Sequence, residues 1–209
     1  MHTAVSLVFL LILGSVWTLQ VAAVLPESQA NFDLDQFMGS WYELAVVSNC
    51  PHYMQHKREN PVVVALELKH AASEQNFTMT ATTFRNDSCK ETSTVYSLTD
   101  TPGRFFHHFA RFAADIDSFV VHTNYNEFAV MLQLSTEKPS ETKTTKIKLY
   151  SRTTDTSPAA LDLFQALVRQ HGMSNDAVIR NQSKGDCVPG EQLTEATKTN
   201  VEPKESAGI

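Results

Sequence analysis

From Asn31 to Tyr150 the chain alternates between short apolar-rich runs and polar punctuation, at even intervals. Trp41 to Val47 is apolar-rich, and Pro61 to Leu68 carries the β-branched run Val62-Val63-Val64. Phe77 to Phe84 alternates, with Thr78, Thr80 and Thr82 opposite Phe77, Met79 and Ala81. Thr92 to Leu98, Arg104 to Phe112, Phe119 to Thr123, Phe128 to Leu134 and Thr144 to Tyr150 complete a series of eight. Turn-prone clusters separate them at Asn86-Asp87-Ser88, Thr101-Pro102-Gly103, Asn124-Tyr125-Asn126 and Lys138-Pro139-Ser140. A period of two puts successive side chains on opposite faces of a sheet. Short strands with polar connections of this kind predict an antiparallel sandwich or barrel.

After Tyr150 the period changes. Ser157-Pro158 reads as a helix start, with proline at the first helical position. Leu161, Phe164, Leu167 and Val168 then recur on one face, and Gly172 stands where a helix terminates. One helix packed outside a closed barrel satisfies this order. Beyond Glu191 the chain is polar and lacks aromatics, so residues 193–209 are expected to form a disordered tail. At the other end, Val5 to Trp17 is almost wholly apolar but short for a membrane span. With Ala22 and Ala23 behind it, this run predicts a secretory signal over residues 1–23 and leaves 31–192 as the folded domain. No later apolar stretch approaches spanning length, so the product is expected to be secreted and extracellular rather than an integral membrane protein.

Composition then excludes one class of partner. The net charge of −6 leaves no basic excess to neutralise phosphates, and no nucleic-acid partner is expected. Export makes the three cysteines informative, because an oxidising compartment favours pairing and an odd number leaves one thiol over. Spacing alone leaves open which of Cys50, Cys89 and Cys187 is unpaired. Asn76-Phe77-Thr78, Asn86-Asp87-Ser88 and Asn181-Gln182-Ser183 are acceptor sequons for glycans in an exported chain, Asn86 being the best placed, in a turn.

Three short motifs bracket the strand series. Gly39-Ser40-Trp41 enters the first strand, Thr123-Asn124-Tyr125 ends the sixth, and Tyr150-Ser151-Arg152 leaves the eighth. An arginine at this last position is expected to lay its guanidinium plane over Trp41. In this order and spacing the motifs resemble the three signature regions of the lipocalin family. The stretches around Ser48-Asn49-Cys50-Pro51, Val120 to Tyr125 and Gly185 to Gln192 further resemble its alpha-1-microglobulin branch.

The resemblance implies an all-β fold, an eight-stranded antiparallel up-and-down barrel with one C-terminal α-helix outside. It implies a Cys89–Cys187 disulfide pinning the C-terminal segment to the barrel, and Cys50 free in the first loop at the open mouth. His52, His56, Lys57 and Arg58 follow Cys50 closely, and nearby cations favour the reactive thiolate. The chemistry implied is carriage of a small apolar ligand (haem, a retinoid or a lipid), antioxidant scavenging, and mixed disulfides between Cys50 and plasma proteins.

In that branch, wall lysines assist the mouth cysteine. Lys148 matches one, Phe109 stands where a second is expected, and the third falls near Ser135. The branch's haem-ligating histidine belongs to a loop that here runs Glu137 to Thr142 without histidine. Weak thiol-dependent reductase chemistry at Cys50 with Lys148 is therefore the only enzymatic expectation. Alternation groups Phe105, His107, Phe109 and Arg111 on one strand face, which the resemblance turns toward the cavity. His107 is a candidate haem ligand or polar anchor. No cofactor is obligatory and no metal site is expected.

Parts of the chain also resemble the prostaglandin D synthase branch, which implies an isomerase. The nucleophilic cysteine of that branch lies on the second strand, and Pro61 to Leu68 has none. The alpha-1-microglobulin precursor continues through a basic site into protease-inhibiting Kunitz domains. This sequence has no dibasic site after Gln192 and no cysteine after Cys187, so protease inhibition is not expected of it.

Overall fold

The computed structural model describes residues 26–189. The expected signal at 1–23 and the tail at 193–209 lie outside them. Eight antiparallel strands run up and down around a closed barrel: β1 (Gly39–Ser48), β2 (Val64–His70), β3 (Asn76–Arg85), β4 (Ser88–Leu98), β5 (Arg104–Phe109), β6 (Ala114–Thr123), β7 (Phe128–Glu137) and β8 (Thr142–Ser151). Each pairs with its neighbour in sequence, and β1 closes the circle by pairing with both β2 and β8. Closure removes the exposed sheet edges that an open array would leave.

The barrel is sealed where β1 begins. A short helix α1 (Leu34–Phe37), capped by Asp33, lies across this end. The Trp41 indole donates to the Phe37 carbonyl at 2.8 Å, and the Arg152 guanidinium stacks over the Trp41 ring at 3.7 Å, as the motifs predict. Arg152 also donates to the carbonyls of Gln36, Met38, Ser40 and Tyr125. The Tyr125 hydroxyl accepts from the Asp33 backbone N–H at 2.9 Å, and Thr123 Oγ accepts from the Tyr125 N–H. Gly39 at φ +89° holds a backbone turn under Arg152 that a larger residue would strain. The signature residues therefore form a plug. Phe105 belongs to this plug, stacked among Phe32, Phe37 and Phe77.

The outer face of β1, β7 and β8 is covered by helix α3 (Pro158–Gln170), whose Ser157 side chain accepts from the Ala160 N–H. Its buried face is Ala160, Phe164, Leu167 and Val168, packed on Val130, Leu132, Ile147 and Leu149. Each of the larger side chains contributes ~1.5–3 kcal/mol by burial. Gly172 takes φ +70° just past the helix end, as its placement predicts.

The structure departs from expectation at several points. The second strand begins at Val64, three residues after Pro61, because Val62 forms an isolated parallel bridge with Gln182. The sixth begins at Ala114, ahead of Phe119. The fifth stops at Phe109, and Ala110–Phe112 is a 3₁₀ turn. The loop carrying Cys50 contains helix α2 (Pro51–Glu59), which the pattern did not predict because only Met54 of it is buried. A two-residue strand β9 (Ile179–Arg180) adds to β1 at Ala45 and Val46.

The Cys89–Cys187 disulfide is formed, with Cα atoms 5.3 Å apart. It lies outside the barrel against Val62 and Phe84.

Candidate ligand site at the barrel mouth

The open end is ringed by the β3–β4, β5–β6 and β7–β8 turns and by α2. Cys50 is the N-cap residue of α2, half-buried, with its backbone N–H donating to Ser48 Oγ at 3.1 Å. Pro51 at the first helical position suits a residue whose N–H the helix does not use.

Below α2 lies a buried charge cluster. Glu43 points inward from β1 and is 3% exposed, so solvent contributes little to its stabilisation. It accepts from Lys148 Nζ on β8 at 2.8 Å and from Lys57 Nζ on α2 at 2.8 Å. Burial opposes the Glu43 charge, but the two ammoniums more than offset it and hold the carboxyl well below the ordinary carboxylate range. Burial likewise works against Lys148, and Glu43 raises it well above its usual value. A shift of register at Leu44 frees that residue's carbonyl to accept from the Asn181 N–H at 2.8 Å. Asn181 Nδ2 donates to the Glu43 carbonyl at 2.8 Å, while its Oδ1 accepts from Lys57 at 3.4 Å.

Lys146, two residues before Lys148 on the same inward face, joins the site but makes no ion pair among the described residues. Its Nζ sits over the Tyr53 ring of α2 at 4.0 Å. Burial and the neighbouring Lys148 charge lower its pKa to about 8, against the opposing pull of Glu43 and of Cys50. Across the barrel His107 is 9% exposed and its ring packs 4.5 Å from that of Tyr96. Its Nδ1 is buried with no hydrogen-bond partner. Burial first, then Lys148 and Lys146, lower His107 to about 4, so it is neutral at physiological pH. Gln133 and Ser118 floor this layer, Gln133 Nε2 donating to Ser118 Oγ at 3.0 Å.

The residues expected at the site are therefore partly dispersed. Cys50, His107 and Lys148 converge on the upper barrel. Phe105 belongs to the sealed end, as described above. Phe109 keeps the inward parity of His107 but stands at the rim, 43% exposed. Arg111 is corrected: the strand ends before it, so it projects from the 3₁₀ turn and lies over Phe112 rather than in the cavity. Lys57 does not serve Cys50 as its sequence proximity predicts. Helical winding carries it about two turns from the thiol, and Glu43 takes its charge. Lys148 is likewise engaged by Glu43.

Glu43, Tyr53, Tyr96, Gln133 and Lys146 were not expected here. One signal was present in Lys146-x-Lys148-x-Tyr150, a period of two on a strand whose other face is Ile147 and Leu149. Because α3 covers that other face, the lysines turn inward.

Among the sequons, Asn86 is exposed in the β3–β4 turn, and Asn76 is half-buried at the start of β3. Asn181 is half-buried, and its amide nitrogen, the atom a glycan would occupy, donates to the Glu43 carbonyl.

Among the described residues, no group of three His, Cys, Asp or Glu side chains is placed to hold a metal ion. No helix there is long and apolar enough to cross a membrane. Two hollows of about 290 and 220 Å³ open at the sealed end, one beside Pro26 and Phe119 and the other between Phe32 and Leu98.

Residues 38–185 match the profile of the Lipocalin / cytosolic fatty-acid binding protein family. The chain belongs to the lipocalin family. This lipocalin is 46% identical to Protein AMBP of Pleuronectes platessa over 98% of the chain and 58% of that protein. It is 34% identical to Protein AMBP of Mus musculus over 90% of the chain and 55% of that protein. It thus spans somewhat more than half the length of these relatives. A Prostaglandin-H2 D-isomerase of Felis catus is 27% identical over 81% of the chain and 88% of the enzyme. Among solved structures the lipocalin resembles the siderocalin Ex-FABP, with a TM-score of 0.61 and 19% identity, over 76% of the chain and 98% of that protein.

Proposed function

We propose that this lipocalin is a secreted carrier of small apolar or amphipathic molecules, held in the upper barrel beneath α2. Cys50 gives the mouth a thiol for scavenging and for mixed disulfides with other extracellular proteins. One observation carries the reading. The barrel is plugged at one end by Trp41 and Arg152, and among the described residues the other end is covered by the nine-residue α2, tethered through Lys57 to Glu43. Helix α2 takes no part in the strand pairing that closes the barrel. Similarity to Protein AMBP supports the reading, and the apolar run at Val5 to Trp17 supports export.

Haem stays within the reading as a ligand, with His107 as the buried imidazole that offers a free Nδ1. Thiol chemistry at Cys50 draws on Lys146 rather than Lys148, because Glu43 holds Lys148. An isomerase reading lacks its nucleophile, since β2 carries no cysteine.

The test titrates retinol, palmitate and haem into the purified protein and into Cys50→Ser. Expected are quenching of Trp41 fluorescence or a shifted haem absorption band. No change with any of the three would sink the carrier reading. In a parallel titration with a thiol reagent, Cys50 is expected to react before denaturation, and silence until unfolding would remove it from the mouth chemistry.

A further inference from the structure

Helix α2 has two faces of different character. Met54 is buried, Tyr53 meets Lys146 and Lys57 reaches Glu43, so that side of the helix faces the barrel. His52 and His56 are on the other side, both exposed. Residues four apart on a helix stand one above the other, with Cβ atoms ~5–6 Å apart. Here the two rings meet edge to face, with centroids 4.6 Å apart and planes at 85°. Among the described residues neither imidazole makes a hydrogen bond, so the pair is open to a ligand from solvent. His56 Nδ1 lies 3.9 Å from Glu59 Oε2, and Glu59 Oε1 accepts from Gln55 Nε2 at 3.1 Å. A carboxylate behind one ring nitrogen is what orients a metal-ligating imidazole, and it leaves Nε2 as the ligating atom.

We infer that His52 and His56 form a two-imidazole site for a divalent transition-metal ion of the Zn2+ and Cu2+ class, and that the ion holds α2 in its helical form over the mouth. Imidazole suits these ions. No third His, Cys, Asp or Glu among the described residues is placed to join the pair, so water completes the coordination. Such an ion exchanges with solvent, and its occupancy follows its concentration. The hold on the helix follows from the spacing. In an extended chain residues four apart lie ~13 Å from each other, too far for one ion to take both. Only the helical form chelates, so the ion stabilises α2 against opening. The start of the helix has little other support: Cys50 makes no side-chain capping bond, and no acidic residue stands in the first turn. The ion site does not depend on what the barrel carries.

The test titrates Zn2+ by calorimetry into the full chain, made without a histidine tag, and into its variants. His52→Gln and His56→Gln are each expected to weaken binding at least about tenfold, and the double variant no further, because one imidazole does not chelate. His56→Gln with Arg58→His keeps two histidines on the helix but puts them on different faces, and is expected to bind no better than His56→Gln alone. His70→Gln, at the sealed end, and Cys50→Ser are expected to bind as wild type does. With Zn2+ at about ten times its Kd, amide exchange across Pro51–Glu59 is expected to slow about tenfold in wild type. Exchange in β7, and in α2 of His52→Gln, is expected not to respond. Binding that survives both single substitutions, or that is lost with Cys50→Ser, would overturn the site. Exchange in α2 that ignores the bound ion would overturn its hold on the helix. Circular dichroism of each variant separates a lost ligand from a lost fold.

Discussion

The inward lysine is where residue chemistry and stability part company. With the Lys146 pKa lowered to about 8 from 10.5, the native state holds its proton less tightly than the unfolded chain does. Between those values the unfolded state binds more protons, so stability rises with pH there, and below about 8 the full cost is felt. Solvent reaching the ammonium from the mouth takes part of it. Lys146→Met is therefore expected to stabilise the ligand-free protein at neutral pH by about 1–2 kcal/mol, read from urea midpoints at unchanged m-value. His107 works in the same sense at lower pH. Its folded pKa of about 4 lies below the ordinary 6.5, so stability is complete above 6.5 and is lost as pH falls toward 4. The loss approaches ~3 kcal/mol at full depression. His107→Phe is expected to flatten the wild-type profile between those two values. Urea midpoints taken across this pH range measure the flattening.

Among the elements, α2 depends on one carboxylate. Glu43→Gln leaves Lys57 and Lys148 facing each other below water, and breaking a buried pair in this way costs ~3–5 kcal/mol. The loss is expected to concentrate in the lid, with faster amide exchange across Pro51–Glu59 than in β7, measured by native-state hydrogen exchange. Uniform acceleration in both elements would instead place Glu43 in the global core. The same element marks the limit of what the sequence makes legible. The strands and α3 announce themselves because each buries one face, so Phe77-x-Met79-x-Ala81 and Leu161 to Val168 carry the period of their environment. Helix α2 buries only Met54, and Cys50 is a poor capping residue, so its sequence shows no face. Its proline at the start and its His56, Lys57 and Arg58 at the end were the available signals. The site was half legible for a related reason. Cys50 and His107 stand out by type, but a lysine read locally belongs to solvent, and only knowing that α3 covers the opposite face of β8 sends Lys146 and Lys148 inward.

Across the whole molecule, the segment after α3 acts as a strap. It pairs with β1 through Ile179 and Arg180, and holds Glu43 and Lys57 through Asn181. It then meets the approach to β2 where Gln182 bonds with Pro61 and Val63, and it ends in the Cys187 bridge to β4. Both flanks of the mouth loop are thus tied to a segment whose far end is fixed by one covalent bond. The two cysteines are 98 positions apart, and closing a loop of that length removes ~4–5 kcal/mol of unfolded-state entropy. The Cys89→Ala, Cys187→Ala double variant is expected to lose about that much stability in urea. It is also expected to gain ligand-exchange rate, because the strap that steadies Asn181 against the lid is released. Stopped-flow release of bound palmitate measures the second effect. Faster release with unchanged amide exchange at Ile179 and Arg180 would mean that the strap holds without its disulfide, and that the bridge acts on the unfolded chain alone. Faster release together with faster exchange there would make the disulfide a determinant of how quickly the mouth opens.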